Sequence, residues 1–104
     1  IIMLSFEKQP SEQYPISLTF GSSSKPAGTV ISSATVKAED LANNNLVSGA
    51  ILVSTTGIIN SEGNKVTVTV RAGQKNKKYR LTFLITLNTG DILEEELIMS
   101  VREK

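Results

Sequence analysis

The sequence predicts an all-β fold of two sheets packed face to face, and three observations predict it. Segments in which apolar and polar residues alternate recur from end to end, clusters of Gly, Pro, Asn and Ser separate them, and no segment sustains an apolar helical stripe. With 104 residues the chain has the length of one domain, so residues 1–104 are read as a single unit. About seven strands at hairpin-like spacing in that length is what a two-sheet sandwich requires.

The segment "IMLSFEK" sets Ile2, Leu4 and Phe6 on one face, and after Pro10 and Pro15 the same pattern returns with Ile16, Leu18 and Phe20. "SSSKPAG" (22–28) is a loop by composition. "TVISSATVK" then makes a third strand, with Val30, Ala34 and Val36 on one parity and Ser33, Thr35 and Lys37 on the other. Three consecutive asparagines make "AEDLANNN" a connection, because asparagine favours turns over helix interiors. "LVSGAILVSTTGIIN", broken by Gly49 and Gly57, accommodates one strand or two short ones.

"EGNKVTVTVRAG" predicts a central strand with Val66, Val68 and Val70 facing one way and Thr67, Thr69 and Arg71 the other. "KKYRLTFLITLNTG" follows, with Tyr79, Leu81, Phe83, Ile85 and Leu87 on the inner side, and the last strand puts Leu97, Met99 and Val101 in phase. Residues directly opposite in an antiparallel pair share a face, so joining odd positions to odd positions demands an odd-numbered loop. A three-residue turn at Thr89, Gly90 and Asp91, with Gly90 at positive φ, satisfies this. Glu95 shares the parity of Leu97 and is the misfit, expected at the sheet's end or displaced by a bulge. The predicted core comprises Phe20, Val36, Val66, Val68, Val70, Tyr79, Leu81, Phe83, Ile85, Leu97, Met99 and Val101.

Composition narrows function mainly by exclusion. Eleven basic against ten acidic residues leave a formal charge of +1, which gives no overall field for nucleic acid or an anionic membrane. No apolar run approaches the roughly 20 residues of a membrane helix, and the opening "IIMLSF" lacks the cationic start and cleavage site of a signal peptide. Cysteine and histidine are both absent, which removes disulfides, thiolate chemistry, the usual general base and the commonest metal ligands. Most hydrolase schemes end here, and a Ser–Lys nucleophile pair, which composition leaves open, has no positional signature in the chain.

Tyr79 opens its strand after the loop "AGQKNKK", the place where immunoglobulin-like sandwiches put a tyrosine whose ring enters the core and whose hydroxyl bonds to nearby backbone. The fold class is therefore read as an immunoglobulin-like β-sandwich of about seven antiparallel strands. "AGQKNKKYRLTFLITLNTG" followed by "EELIMSVRE" resembles the C-terminal half of a family of small phage and prophage proteins that includes fiber-tail adaptors. In that family a Gly-Gly-x-x-Gly-x-x-Tyr stretch precedes an alternating strand, a glycine turn and a final strand with a charged tail. Ala72 and Gly73 stand at the paired glycines, Asn76 at the third, Tyr79 at the tyrosine and Gly90 at the turn glycine.

The N-terminal half is similar too, with "KQPSEQYPISLTF" leading to Phe20 where the family has tryptophan, and "GTVISSATV" carrying Gly28 in place of an acid. The resemblance implies a non-enzymatic virion protein without cofactors, assembled in the bacterial host cytoplasm, whose partners are other virion proteins or a second copy of the chain. It implies neither nucleic acid nor membrane as partner. Tyr79, Gly73, Asn76 and Gly90 are its structural corner residues.

Four other features are weighed. The basic cluster of Arg71, Lys75, Lys77, Lys78 and Arg80 has no interleaved stacking aromatics and reads as a solvated turn. Asp91, Glu94, Glu95 and Glu96 are spread over two faces by alternation, which suits edge protection better than metal binding. "GSSS" lacks the Gly-Lys-Thr/Ser signature of a phosphate loop. Leu84 and Ile98 fall on the outer face of adjacent strands, roughly diagonal to each other, and are the candidate interface pair. A carbohydrate-binding module is the alternative reading, for which the five aromatics are few and several are needed by the core.

Overall fold

The computed structural model describes residues 4–20 and 28–102; Ile2, the side chain of Leu4 and residues 22–27 of the first loop lie outside what it describes. Seven strands and one helical turn follow in order: β1 (Leu4–Lys8), β2 (Tyr14–Thr19), β3 (Ile31–Asp40), α1 (Ser48–Ile51), β4 (Ile58–Ile59), β5 (Lys65–Val70), β6 (Lys77–Leu87) and β7 (Ile92–Val101). They form a four-stranded sheet, β1-β7-β6-β3, and a three-stranded sheet, β2-β5-β4. Both sheets feed one core, in which Leu18, Val66, Val68 and Val70 meet Ala34, Val36, Leu81, Phe83, Ile85 and Met99. All twelve side chains named from the sequence are in it.

The alternation of β5 explains its central position: the three valines are buried, the threonines half-buried, and both edges are paired, to β2 on one side and β4 on the other. In order, β2-β5-β4 and β3-β6-β7 correspond to the B-E-D and C-F-G strand orders of the immunoglobulin layout. One pairing departs from the antiparallel expectation, because β1 joins β7 in parallel, Leu4 opposite Leu97 through Lys8 opposite Val101. The connection 9–13 carries the chain from there into the other sheet, so β1 and β2 are not a hairpin.

Two local readings of β3 and of the run after it are corrected. Val30 is exposed and Ile31 buried, because the β3–β6 register shifts between Ile31 opposite Leu87 and Ser33 opposite Thr86; the extra residue, Ser32, brings Ile31 and Ala34 to the same face despite opposite parity. The ambiguous run 46–60 holds the single turn α1, whose Ile51 is buried, and only the two-residue β4. Segment 45–57 instead lies along the outer edge of β3, with Asp40 N–H donating to Asn45 O, Val47 N–H to Ala38 O and Val36 N–H to Thr55 O.

The last hairpin has the predicted three-residue loop, shifted by one position. Leu87 N–H donates to Asp91 O (2.8 Å) and Gly90 N–H to Leu87 O (2.9 Å), so the loop is Asn88, Thr89 and Gly90, the last at φ +92°. Glu95 is neither at a strand end nor bulged: β6 and β7 pair without a shift from Lys77 opposite Val101 to Thr86 opposite Ile92. It is exposed in the part of β7 before Leu97, the first residue of that strand opposite a described residue of β1.

Candidate functional site

The end of the sandwich where β5 passes to β6 concentrates the polar contacts. Between these strands Ala72, Gly73 and Asn76 take φ of 53°, 95° and 64°, so the loop is wound through the left-handed region. Gly73 is required for space as well as angle, since a Cβ there would lie 2.7 Å from Val101 Cγ2. Asn76 N–H donates to Val101 O (2.8 Å), fastening the loop to the end of β7. Tyr79 is 4% exposed, and its Oη accepts from Gln74 N–H at 2.9 Å, five residues upstream.

Lys8 completes this end and was not singled out in the sequence. It is 1% exposed, and its Nζ donates to Ala72 O, to Gln9 O (2.7 Å) and to Pro10 O (3.4 Å). Burial pulls the ammonium below the ordinary lysine range, with the Glu12 carboxylate opposing this. A signal was present: Lys8 has the parity of Phe6, which packs against the core, so an alternating strand ends on a charge aimed at the interior.

The basic cluster is largely engaged in the fold. Lys77 Nζ donates to Asp40 Oδ2 (2.9 Å), and Asp40 Oδ1 accepts from Ala42 N–H (2.9 Å). The bond from Lys77, then that from Ala42, holds the Asp40 carboxyl below the usual carboxylate range, and Asp40 raises Lys77 in turn. Arg80 Nε lies between Glu39 (3.6 Å) and Glu96 (3.4 Å), and Arg71 Nη2 donates to Gly49 O (2.7 Å). Lys78 is exposed. The acids do not gather: among the described residues no group of three or more acidic, histidine or cysteine side chains has metal-binding geometry.

Leu84 and Ile98 share the outer face but do not adjoin. Leu84 is opposite Glu94 and Ile98 opposite Arg80, so the row of Thr82 and Glu96 separates them, four residues or about 13 Å along the strand. The pair is therefore not the contiguous patch that parity suggested, because parity fixes face and not row. Leu84, 43% exposed, instead lines an open cleft of about 480 Å³ with Leu46, Thr35, Lys37, Thr55 and Glu94.

Unpaired backbone is the remaining resource for contact. In β2, the bond from Phe20 N–H to Asn64 O (2.6 Å) places Tyr14, Ile16 and Leu18 in the pairs that exchange hydrogen bonds with β5, so Pro15, Ser17 and Thr19 turn their backbone groups away from the sheet.

Comparison with known families gives one finding. Residues 8–100 match a family described as podophage GP4 fiber-tail adaptor protein gp77. No curated protein matches the chain.

Proposed function

The chain belongs to the podophage fiber-tail adaptor family, a family of phage structural proteins, and from that premise we propose that it serves in the virion as a non-enzymatic adaptor acting through protein–protein contacts. The family match over residues 8–100 carries this reading. The use of side chains supports it. The buried Lys8 and Asp40 and the half-buried Lys77 are spent on tying β1 to the loop before β6 and β3 to β6, and the chain has neither histidine nor cysteine for acid–base or nucleophilic work. The carbohydrate alternative finds no aromatic platform among the described residues. Phe20, Tyr79 and Phe83 are buried, and Phe6 and Tyr14 are engaged with each other edge to face at 6.4 Å.

Gradient-purified particles from infected cells test the proposal. The chain is expected to sediment with tails and to cross-link to other virion proteins. A chain left wholly in the soluble fraction, without cross-links, overturns it.

A further inference from the structure

We propose that the outer edge of β2 is a strand-acceptor site, filled in the assembled particle by an extended segment of another virion protein that becomes the fourth strand of the β2-β5-β4 sheet. The identity of the donor as a virion protein rests on the adaptor reading; the rest is geometric.

Among the described residues the two sheets are unequal, four strands against three. In the immunoglobulin layout the sheet containing B, E and D carries strand A at the edge of B. Here the first strand lies in the other sheet, parallel to β7, and the place beside β2 has no strand among the described residues. The far side of β5 confirms which way the groups point: Val53 N–H donates to Thr69 O and Arg71 N–H to Ile51 O, so Val66, Val68 and Val70 bond toward β2. The free edge of β2 therefore offers two donors, Ser17 and Thr19, and three acceptors, Pro15, Ser17 and Thr19.

Among the described residues the outer edge of β1, five residues long, carries Glu7, and the remaining edges are better defended than that of β2. Segment 45–57 covers β3, β4 is two residues long, and the part of β7 with no described partner strand on that side carries Glu94, Glu95 and Glu96. The edge of β2 has no charge between Tyr14 and Thr19, and its one guard is Pro15 near its start. Tyr14 and Ile16 pack on the core but stay half-buried. A donor with apolar residues at alternate positions would cover them while its backbone pairs with Ser17 and Thr19.

A second copy fits less well. A two-fold pair centred on Ser17 sets Pro15 opposite Thr19 of the other copy, and proline has no N–H to give. Both Thr19 carbonyls would go unpaired, whereas a foreign strand with an N–H at that position satisfies all of the edge groups.

The test is amide exchange on the full chain, free and with the synthetic peptide acetyl-KTVTVTVK-amide as a generic donor strand. In the free monomer Ile16 and Leu18 amides are protected and those of Ser17 and Thr19 exchange freely. Peptide is expected to slow Ser17 and Thr19 by at least about tenfold. Ser17→Pro removes an outward donor without touching the β5 ladder, and is expected to abolish the protection of Thr19. Should it fail to fold, Thr19→Lys, which adds an edge charge, is expected to give the same loss at Ser17. Protection of Ser17 and Thr19 in the free monomer, protection that arises only by dimerisation, or peptide protection undiminished in the variants each overturns the proposal. Sedimentation of the chain with particles does not depend on which edge is used. An edge result of that kind leaves the adaptor reading standing, and a chain that binds peptide at β2 yet is absent from particles overturns only the adaptor reading and the donor's identity.

Discussion

Replacing Tyr79 by Phe isolates one hydrogen bond. The ring is buried against Gly73, and phenylalanine retains it, so no cavity beyond one oxygen opens. What is lost is the acceptor for Gln74 N–H at 2.9 Å. A buried donor left without its partner costs about 1–3 kcal/mol. Gln74 itself is exposed, so water can take up part of the deficit, and the expected cost lies in the lower half of that range. At roughly 4–8 °C per kcal/mol for a domain of this size, Tm should fall by about 4–16 °C. Thermal and urea denaturation measure it, with the urea m value unchanged, since the surface exposed on unfolding is the same. Tyr14→Phe is the control: its Oη donates to Glu7 O at 3.1 Å in an exposed setting, and the change should stay within about 0.5 kcal/mol. Equal melting of the parent and both variants would refute a pinning role for the Tyr79 hydroxyl.

Gly73→Ala should destabilise more than Gly90→Ala: both have positive φ, but only at Gly73 does the added Cβ strike a neighbour, Val101, so a chemical-denaturation midpoint lower for Gly73→Ala is expected. Leu81→Ala should cost about 2–5 kcal/mol and Leu84→Ala less than about 1, a contrast in urea unfolding that reports which parity of β6 faces the core. Asp40 has a folded pKa below its unfolded value, so its contribution is fully present above the unfolded value and is lost as pH falls through the folded one. Melting curves of Asp40→Asn should accordingly lie below the parent near neutrality and converge with it in acid; a constant gap across that range would contradict the Lys77 pairing.

The parts of the fold that sequence disclosed are those where one rule acts alone. β5 and β6 alternate without interruption, face the interior on one side only, and so announce both their strands and their core residues. Where a single residue is inserted, as at Ser32, parity reverses silently and Val30 is misplaced, because a bulge leaves no mark in hydropathy. The run 46–60 resists reading because its apolar side chains serve different partners. Ile51 and Leu52 enter the core, Leu46 stays 67% exposed, and no single period describes them. Leu84 and Ile98 show the corresponding limit for sites: alternation assigned them a face, but adjacency depends on register, which the hairpin loop sets and which had to be known to the residue.

Lys8 connects the locked end of the sandwich to the open edge. Its backbone carbonyl accepts from Arg102 N–H and its ammonium bonds to Ala72 O, so the end of β1 is fixed both to the chain following β7 and to the left-handed loop before β6. A strand anchored there cannot also lie beside β2. Burying an ammonium is costly and is tolerated because carbonyls surround it. A methionine of similar length would leave Ala72 O without that partner and remove the tie between β1 and the loop before β6. The cost of the buried charge thus supports a specific placement of β1 in the larger sheet, which leaves the position beside β2 without a strand among the described residues.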